Sequence, residues 1–374
     1  MFLILLKIAC VSLALFLFSS CNSSNTDEST PKSVDSYSKS TTTTTEAPNL
    51  NPITTISTTT PASMTPVTST AAPSDTKDPK AATESVNPFL MSPDLCNDNN
   101  GPNCSKLPLG DGYLTTTSPA QDYLYSCSGP NPNAPGANES KINWIDFNEK
   151  TWNFFEKLWL PSGVFSPGIG LYLESILSGQ RQVQINNLPV DGKIGDWPMT
   201  QYPQLTAIDR NPGVPAAIDQ SFSYTNNPTV ASSPNCVSLG AIGVTKNGVV
   251  LYNASDARGE DALAREIVDI FGGHPAKNNY HYHFIPFRLD NETLENGHSG
   301  IVGYINDGFP IYGYNGVEGK EMSNEDLDEC HGHNHGTLGY HYHATIEYPY
   351  TIGCYKGTPT TTVRKRPMPS RSQR

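Results

Sequence analysis

The tetrapeptide Tyr-His-Tyr-His occurs twice, at 280–283 and 340–343, and each copy closes a longer pattern. The apolar run Ile242–Tyr252, centred on Asn247-Gly248, is matched by Val302–Tyr312, centred on Asp307-Gly308; Val268–His274 is matched by Leu327–His333. The pairs Ile242 and Val302, Val268 and Leu327, and Tyr280 and Tyr340 lie 60, 59 and 60 positions apart. Three elements in one order at one offset mark a tandem duplication. Asn-Gly or Asp-Gly between apolar runs predicts a β-hairpin with a type I′ turn. In the first linker, Asp256–Ile270, the residues Leu263, Ile267 and Ile270 predict an amphipathic helix. The second linker, Glu318–Leu327, is shorter and more polar. The expected fold class is therefore α+β, mainly β: a pseudo-twofold pair of hairpin–helix–strand repeats at 242–283 and 302–343.

All nine histidines follow residue 273, and only His298 stands outside the two repeats. Along a strand, residues i and i+2 share a face. His281 and His283 therefore sit side by side, with Tyr280 and Tyr282 opposite; His341 and His343 repeat the arrangement. The Gly-His turns add His274 and His333. Imidazole is the commonest neutral metal ligand, and an oxidising compartment without free thiolate favours copper or zinc. The expected site lies between the two repeats. His331 and His335 extend the second half-site, and Asp269, Asp328 and Glu329 are placed to orient imidazoles. Against this stands a strand whose tyrosines fill the core while its histidines bond at the surface. Acid–base histidines without metal are a further alternative. No nucleophile elbow, phosphate loop or dinucleotide fingerprint is present, so catalytic residues and any reaction stay open.

These blocks resemble the YHYH domain proteins, named for the tetrapeptide. Matching pieces are Gly243–Tyr252, Gly273-His274-Pro275, Tyr280–His283, Asp307–Gly313, Leu327–Cys330, His331-Gly332-His333 and Gly339–His343, within about residues 180–357. The resemblance supplies no reaction.

The 374 residues divide by composition. Leu3–Phe18 is an apolar run too short for a comfortable membrane span and reads as a secretory signal over 1–20. A loose lipoprotein box ending at Cys21 is the competing reading, a lipid anchor. Residues 21–90 are rich in Thr, Ser and Pro, the composition of a disordered, O-glycosylated stalk. A Cys-bearing linker (91–140), the domain proper (141–357) and a basic disordered tail (358–374) follow. No later stretch is apolar enough to be a transmembrane segment. Ile142–Leu160, with Trp144, Phe147, Trp152, Phe155 and Trp159 near helical spacing, is expected to be partly helical, and Val183–Asn187 a strand.

Beyond Cys10 and Cys21, six cysteines remain, an even number that suits disulfides in an exported chain. Short loops favour Cys96 with Cys104 and Cys330 with Cys354, leaving Cys127 with Cys236. Asn22, Asn103, Asn138, Asn253 and Asn291 head glycosylation sequons. A net charge of −12 argues against nucleic acid and anionic membranes. The leading reading is a secreted glycoprotein that binds copper or zinc, catalytically or structurally. The alternatives are an extracellular matrix or biomineral-associated protein, and a carbohydrate or peptide binding module.

Overall fold

A computed structural model describes residues 87–92, 95–96, 101–163, 168–360 and 364–365. The signal, the Thr-rich stalk, Cys21, Asn22 and most of the basic tail lie outside the described residues.

Eight strands form the main sheet. The first half contributes β1 (Ala241–Thr245), β2 (Val250–Tyr252), β3 (Gly273–Ala276) and β4 (Asn279–Tyr282). The second contributes β5 (Ile301–Ile305), β6 (Pro310–Tyr312), β7 (Gly332–His335) and β8 (Gly339–His343). Their order is β3-β4-β2-β1-β5-β6-β8-β7, so each half is laid out as the reverse of the other. Within each half, two antiparallel hairpins join through a parallel pairing, β2 with β4 and β6 with β8. Antiparallel β1 and β5 join the halves. Glycine is required at that seam: a Cβ on Gly243 would stand 2.5 Å from the carbonyl oxygen of Tyr304, and one on Gly303 2.5 Å from that of Val244.

This architecture corrects the α+β expectation and its hairpin–helix–strand repeat. Strands dominate the regular structure of the described residues, with two helices of four residues each, Pro203–Thr206 and Ala262–Arg265. The linker helix is cut to one turn, capped by Asp261, which accepts from Ala264 N. The second linker holds only 3-10 turns. Each Gly-His turn is itself a strand, which pairs with the strand carrying Tyr-His-Tyr-His. The turn type differs as well. Of each central dipeptide only the glycine takes a positive φ, 80° at Gly248 and 92° at Gly308, and their amides bond to Thr245 O and Ile305 O. This is a type I turn closed by a left-handed glycine rather than type I′.

Ile142–Leu160 is not helical. Ile145–Asp146 pairs with Thr151–Trp152, and the burial of Ile142, Trp144, Trp152 and Phe154 follows a period of two. Asp146 caps the intervening turn through the amides of Asn148 and Glu149. Val183 falls in the strand Gln180–Ile185, as expected. That strand lies between Tyr172–Leu177 and Gln220–Thr225 in a four-stranded sheet. Its Val183, Ile185, Phe222 and Tyr224 pack on Val244, Val250 and Tyr304 of the main sheet. The other face of the main sheet, carrying Leu251, Tyr280, Tyr282, Ile305 and Tyr342, joins the larger core with Trp144, Trp152 and Trp159. Disulfides pair Cys96–Cys104, Cys127–Cys236 and Cys330–Cys354, as expected.

Candidate metal centres

Strand register explains why the imidazoles converge. His274 on β3 is the cross-strand partner of His281 on β4, and His283 follows two residues on. His333 on β7 likewise faces His341 on β8, followed by His343. Cross-strand partners and i+2 neighbours share a face. Val250 is in register with both His281 and Val244, so this is the face on which the four-stranded sheet packs. The two clusters flank the strands that join the halves. The tyrosines of the motif point into the core behind.

In the first cluster, Nε2 of His283 is 3.0 Å from Nε2 of His281 and 3.1 Å from Nε2 of His274. In the second, Nε2 of His341 is 3.1 Å from that of His333 and 3.2 Å from that of His298, which is 3.2 Å from that of His343. The ligand atoms of each group lie within 4.8 Å of one another, and each group can hold a metal ion. Four nitrogens around one ion at 2.0–2.1 Å would stand about 3.3 Å apart in a tetrahedron.

Backbone carbonyls set the tautomers. Nδ1 of His281 faces Asn279 O at 3.0 Å, and Nδ1 of His283 faces Asn253 O. The same bonds recur 60 residues on, from Nδ1 of His341 to Gly339 O at 2.9 Å and from Nδ1 of His343 to Gly313 O at 2.8 Å. Nδ1 of His298 bonds Ser299 O at 2.7 Å. A carbonyl can only accept, so each of these Nδ1 atoms carries the proton, and in the neutral ring Nε2 presents a lone pair. Each cluster thus aims lone pairs at one another across about 3 Å. Protonation is a poor remedy: burial, more than any neighbour, drives His283 and His341 down to about 4 and His281 and His343 well below the usual imidazole value. A cation between the nitrogens satisfies all of them.

The six expected ligands are therefore divided between two clusters, three in each half, instead of meeting in one site between the repeats. His298, which the sequence set apart, completes the second cluster. It enters from the loop before β5 and has no counterpart in the first half, where Ser238 stands 60 positions earlier. His331 lies outside: it is buried, and its Nε2 is 3.1 Å from Thr345 Oγ1. The His335 ring stands 6.0 Å from His333 and 6.3 Å from His298, beside the cluster.

Asp269 and Asp328 orient tyrosines rather than imidazoles. Oδ1 of Asp269 accepts from Phe271 N, Gly273 N and the Tyr280 hydroxyl; Oδ1 of Asp328 accepts from Cys330 N, Gly332 N and the Tyr340 hydroxyl. Asp328 and Glu329 also pair with Lys356, at 2.8 and 3.1 Å. The tyrosines of the preceding hairpins support the imidazoles: Tyr252 stacks on His281 at 4.0 Å between centroids, and Tyr312 tilts over His341 at 4.7 Å. Of the sequons, Asn103, Asn138 and Asn291 are exposed. Asn253 is 2% exposed and bonds Ser238 O and Ser255 N, so the folded chain has no room for a glycan there.

One ligand-type side chain escaped the sequence. Glu266, just past the short helix, places Oε2 3.4 Å from Nε2 of His274. Burial, then the nearby Asp209 and Asp256 carboxylates, hold its carboxyl well above the usual range. Beside it the buried Lys157 amine donates to Glu266 O at 2.7 Å, and burial pushes that amine down to about 7. Glu266 and the first cluster open onto a cavity of about 750 Å³.

Fold and site together define a β-sheet domain with two convergent histidine centres. The family model described as YHYH protein matches residues 221–324. The chain is a YHYH domain-containing protein; the match includes the first Tyr-His-Tyr-His and ends before the second. Neither curated proteins nor solved structures give a match.

Proposed function

We propose that this is a secreted protein that binds two transition-metal ions, copper or zinc, one in each half of its main sheet. The observation that carries the reading is the set of five imidazoles whose Nδ1 protons are committed to backbone carbonyls while their Nε2 atoms converge. A structural role alone would leave opposed lone pairs buried, at a cost in the range of unmade hydrogen bonds, about 1–3 kcal/mol each. All described cysteines are in disulfides, so no thiolate among the described residues competes for the metal, and copper or zinc on imidazole is the fitting chemistry. The same disulfides and the N-terminal apolar run support export.

Metal content measured by mass spectrometry on the secreted chain tests this. The expectation is two copper or zinc ions per chain, with one lost in His281→Ala and the other in His341→Ala. Absence of both ions after reconstitution with either metal overturns it.

A further inference from the structure

The two clusters differ in what completes them. Four imidazoles, His298, His333, His341 and His343, bring their ligand atoms within 4.8 Å of one another in the second. The first has three, His274, His281 and His283, and borders a cavity. Four protein ligands close a centre, whereas three leave a position for an exogenous ligand.

Building on the two-metal reading, we propose that the first centre is an open coordination site that takes a small organic anion through its oxygen, while the second is closed and structural. The cavity beside it has the size of a small-molecule site, about 750 Å³. Its apolar wall includes Ile208, Leu239 and Pro275, against which an organic body can lie. The lining carries two exposed cations, Arg210 and Lys277, beside the carboxyls of Asp209, Asp256 and Glu266, and the cations supply the positive charge that an anionic ligand pairs with. Glu266 Oε2 sits 3.4 Å from Nε2 of His274, outside the three-histidine group but within reach of a ligand on the fourth position. There it positions an acidic N–H or O–H of the bound molecule. Hydroxamates have this chemistry: an anionic oxygen donor, an N–H and a variable organic group.

The test uses the full secreted chain loaded with cobalt(II), whose visible spectrum reports coordination. The chain should hold two ions, and benzohydroxamate should change the bands of one of them, saturating at one equivalent per chain. Acetohydroxamate, which lacks the apolar ring, should bind at least tenfold more weakly. The response should vanish in His283→Ala and persist in His343→Ala. Leu239→Asp touches no ligand; it should leave two ions bound and weaken benzohydroxamate at least tenfold. Two bound ions with no spectral response, or a response from both ions, overturns the open-and-closed assignment and leaves the metal reading intact. A chain that binds no cobalt, zinc or copper overturns the metal reading itself.

Discussion

Tyrosine and histidine alternate in this motif, and either side chain can ligate a metal, so the hydroxyls must be accounted for before the imidazoles are credited. The Tyr280 hydroxyl is bonded to both oxygens of Asp269, and the Tyr340 hydroxyl to Asp328 at 3.0 Å. Both rings are buried on the far side of the sheet from the clusters. Tyr340→Phe should therefore lower stability by about 0.5–1.5 kcal/mol, the net worth of one hydrogen bond, and leave metal content at two; denaturant unfolding and metal analysis on one preparation check both. Loss of an ion in this variant would make the tyrosine part of the centre. At this scale the sequence was informative where chemistry repeats. Tyr-His-Tyr-His is a period-two pattern written twice, so the facing of its residues was legible. His298 was not, because it has no partner in the other copy and reaches its cluster from a loop. Glu266 is hidden differently: the spacing of the linker places it inside a long helix, whereas the helix stops at Arg265 and the chain turns the Glu266 carboxyl toward His274.

The elements show where local pattern and tertiary packing disagree. Leu263, Ile267 and Ile270 have helical spacing, but after one turn the chain leaves the helix, and Ile267 N bonds the Asp209 carboxylate instead of continuing the ladder. Asp269 N then pairs with Gly273 O to open the β3 hairpin. Tertiary partners override a weak local propensity there. The same holds for the tryptophan stripe of 142–160, whose spacing satisfies a hairpin as well as a helix. The hairpins around Asn247-Gly248 and Asp307-Gly308 were legible because turn residues report on backbone directly; their turn class was not, since type I′ and the glycine-closed form draw on the same residues. The seam between β1 and β5 is a stricter constraint. At Gly303 an added methyl would meet the Val244 carbonyl at 2.5 Å, and backbone cannot step aside as a side chain can. Gly303→Ala should cost about 1–3 kcal/mol by overpacking. Because both clusters hang from strands registered on this seam, metal affinity should fall with it; unfolding midpoints with and without bound metal measure the two effects. An unchanged midpoint would mean that the seam is looser than described.

At the level of the whole molecule, buried carboxyls and buried imidazoles pull stability in opposite directions as the pH changes. Burial raises the carboxyls of Asp261 and Asp307 to about 6, even though Tyr350 and Ala264 donate to the first and Tyr342 and Gly357 to the second. A carboxyl whose pKa is higher in the folded chain than in the unfolded one favours folding when protonated. Its contribution is complete below the unfolded value near 4 and is lost as the pH rises through about 6. With shifts of about 2 units, each group can add roughly 3 kcal/mol as an upper bound between pH 7 and 4. Asp209, Asp256, Asp269 and Glu266 are raised by burial too and act in the same direction. The buried imidazoles have the opposite sign: His283 and His341 are driven down to about 4 and His281 and His343 well below the usual value, so the stability they supply is complete above the unfolded value near 6.5 and is lost as the pH falls. Bound metal adds to stability across this range, and protons displace it from Nε2 only as the pH nears about 4. The metal-loaded chain should therefore unfold at higher denaturant concentration than the metal-free chain at both pH 7 and pH 5, with the gap closing toward pH 4. In Asp307→Asn the stabilisation from the protonated carboxyl disappears, so from pH 7 to 5 the midpoint of this variant should fall relative to that of the parent. Denaturant titrations of both forms from pH 7 to 4 decide the matter. Coincident midpoints with and without metal would mean that the bound ion contributes nothing to folding, and would remove the thermodynamic case for either centre.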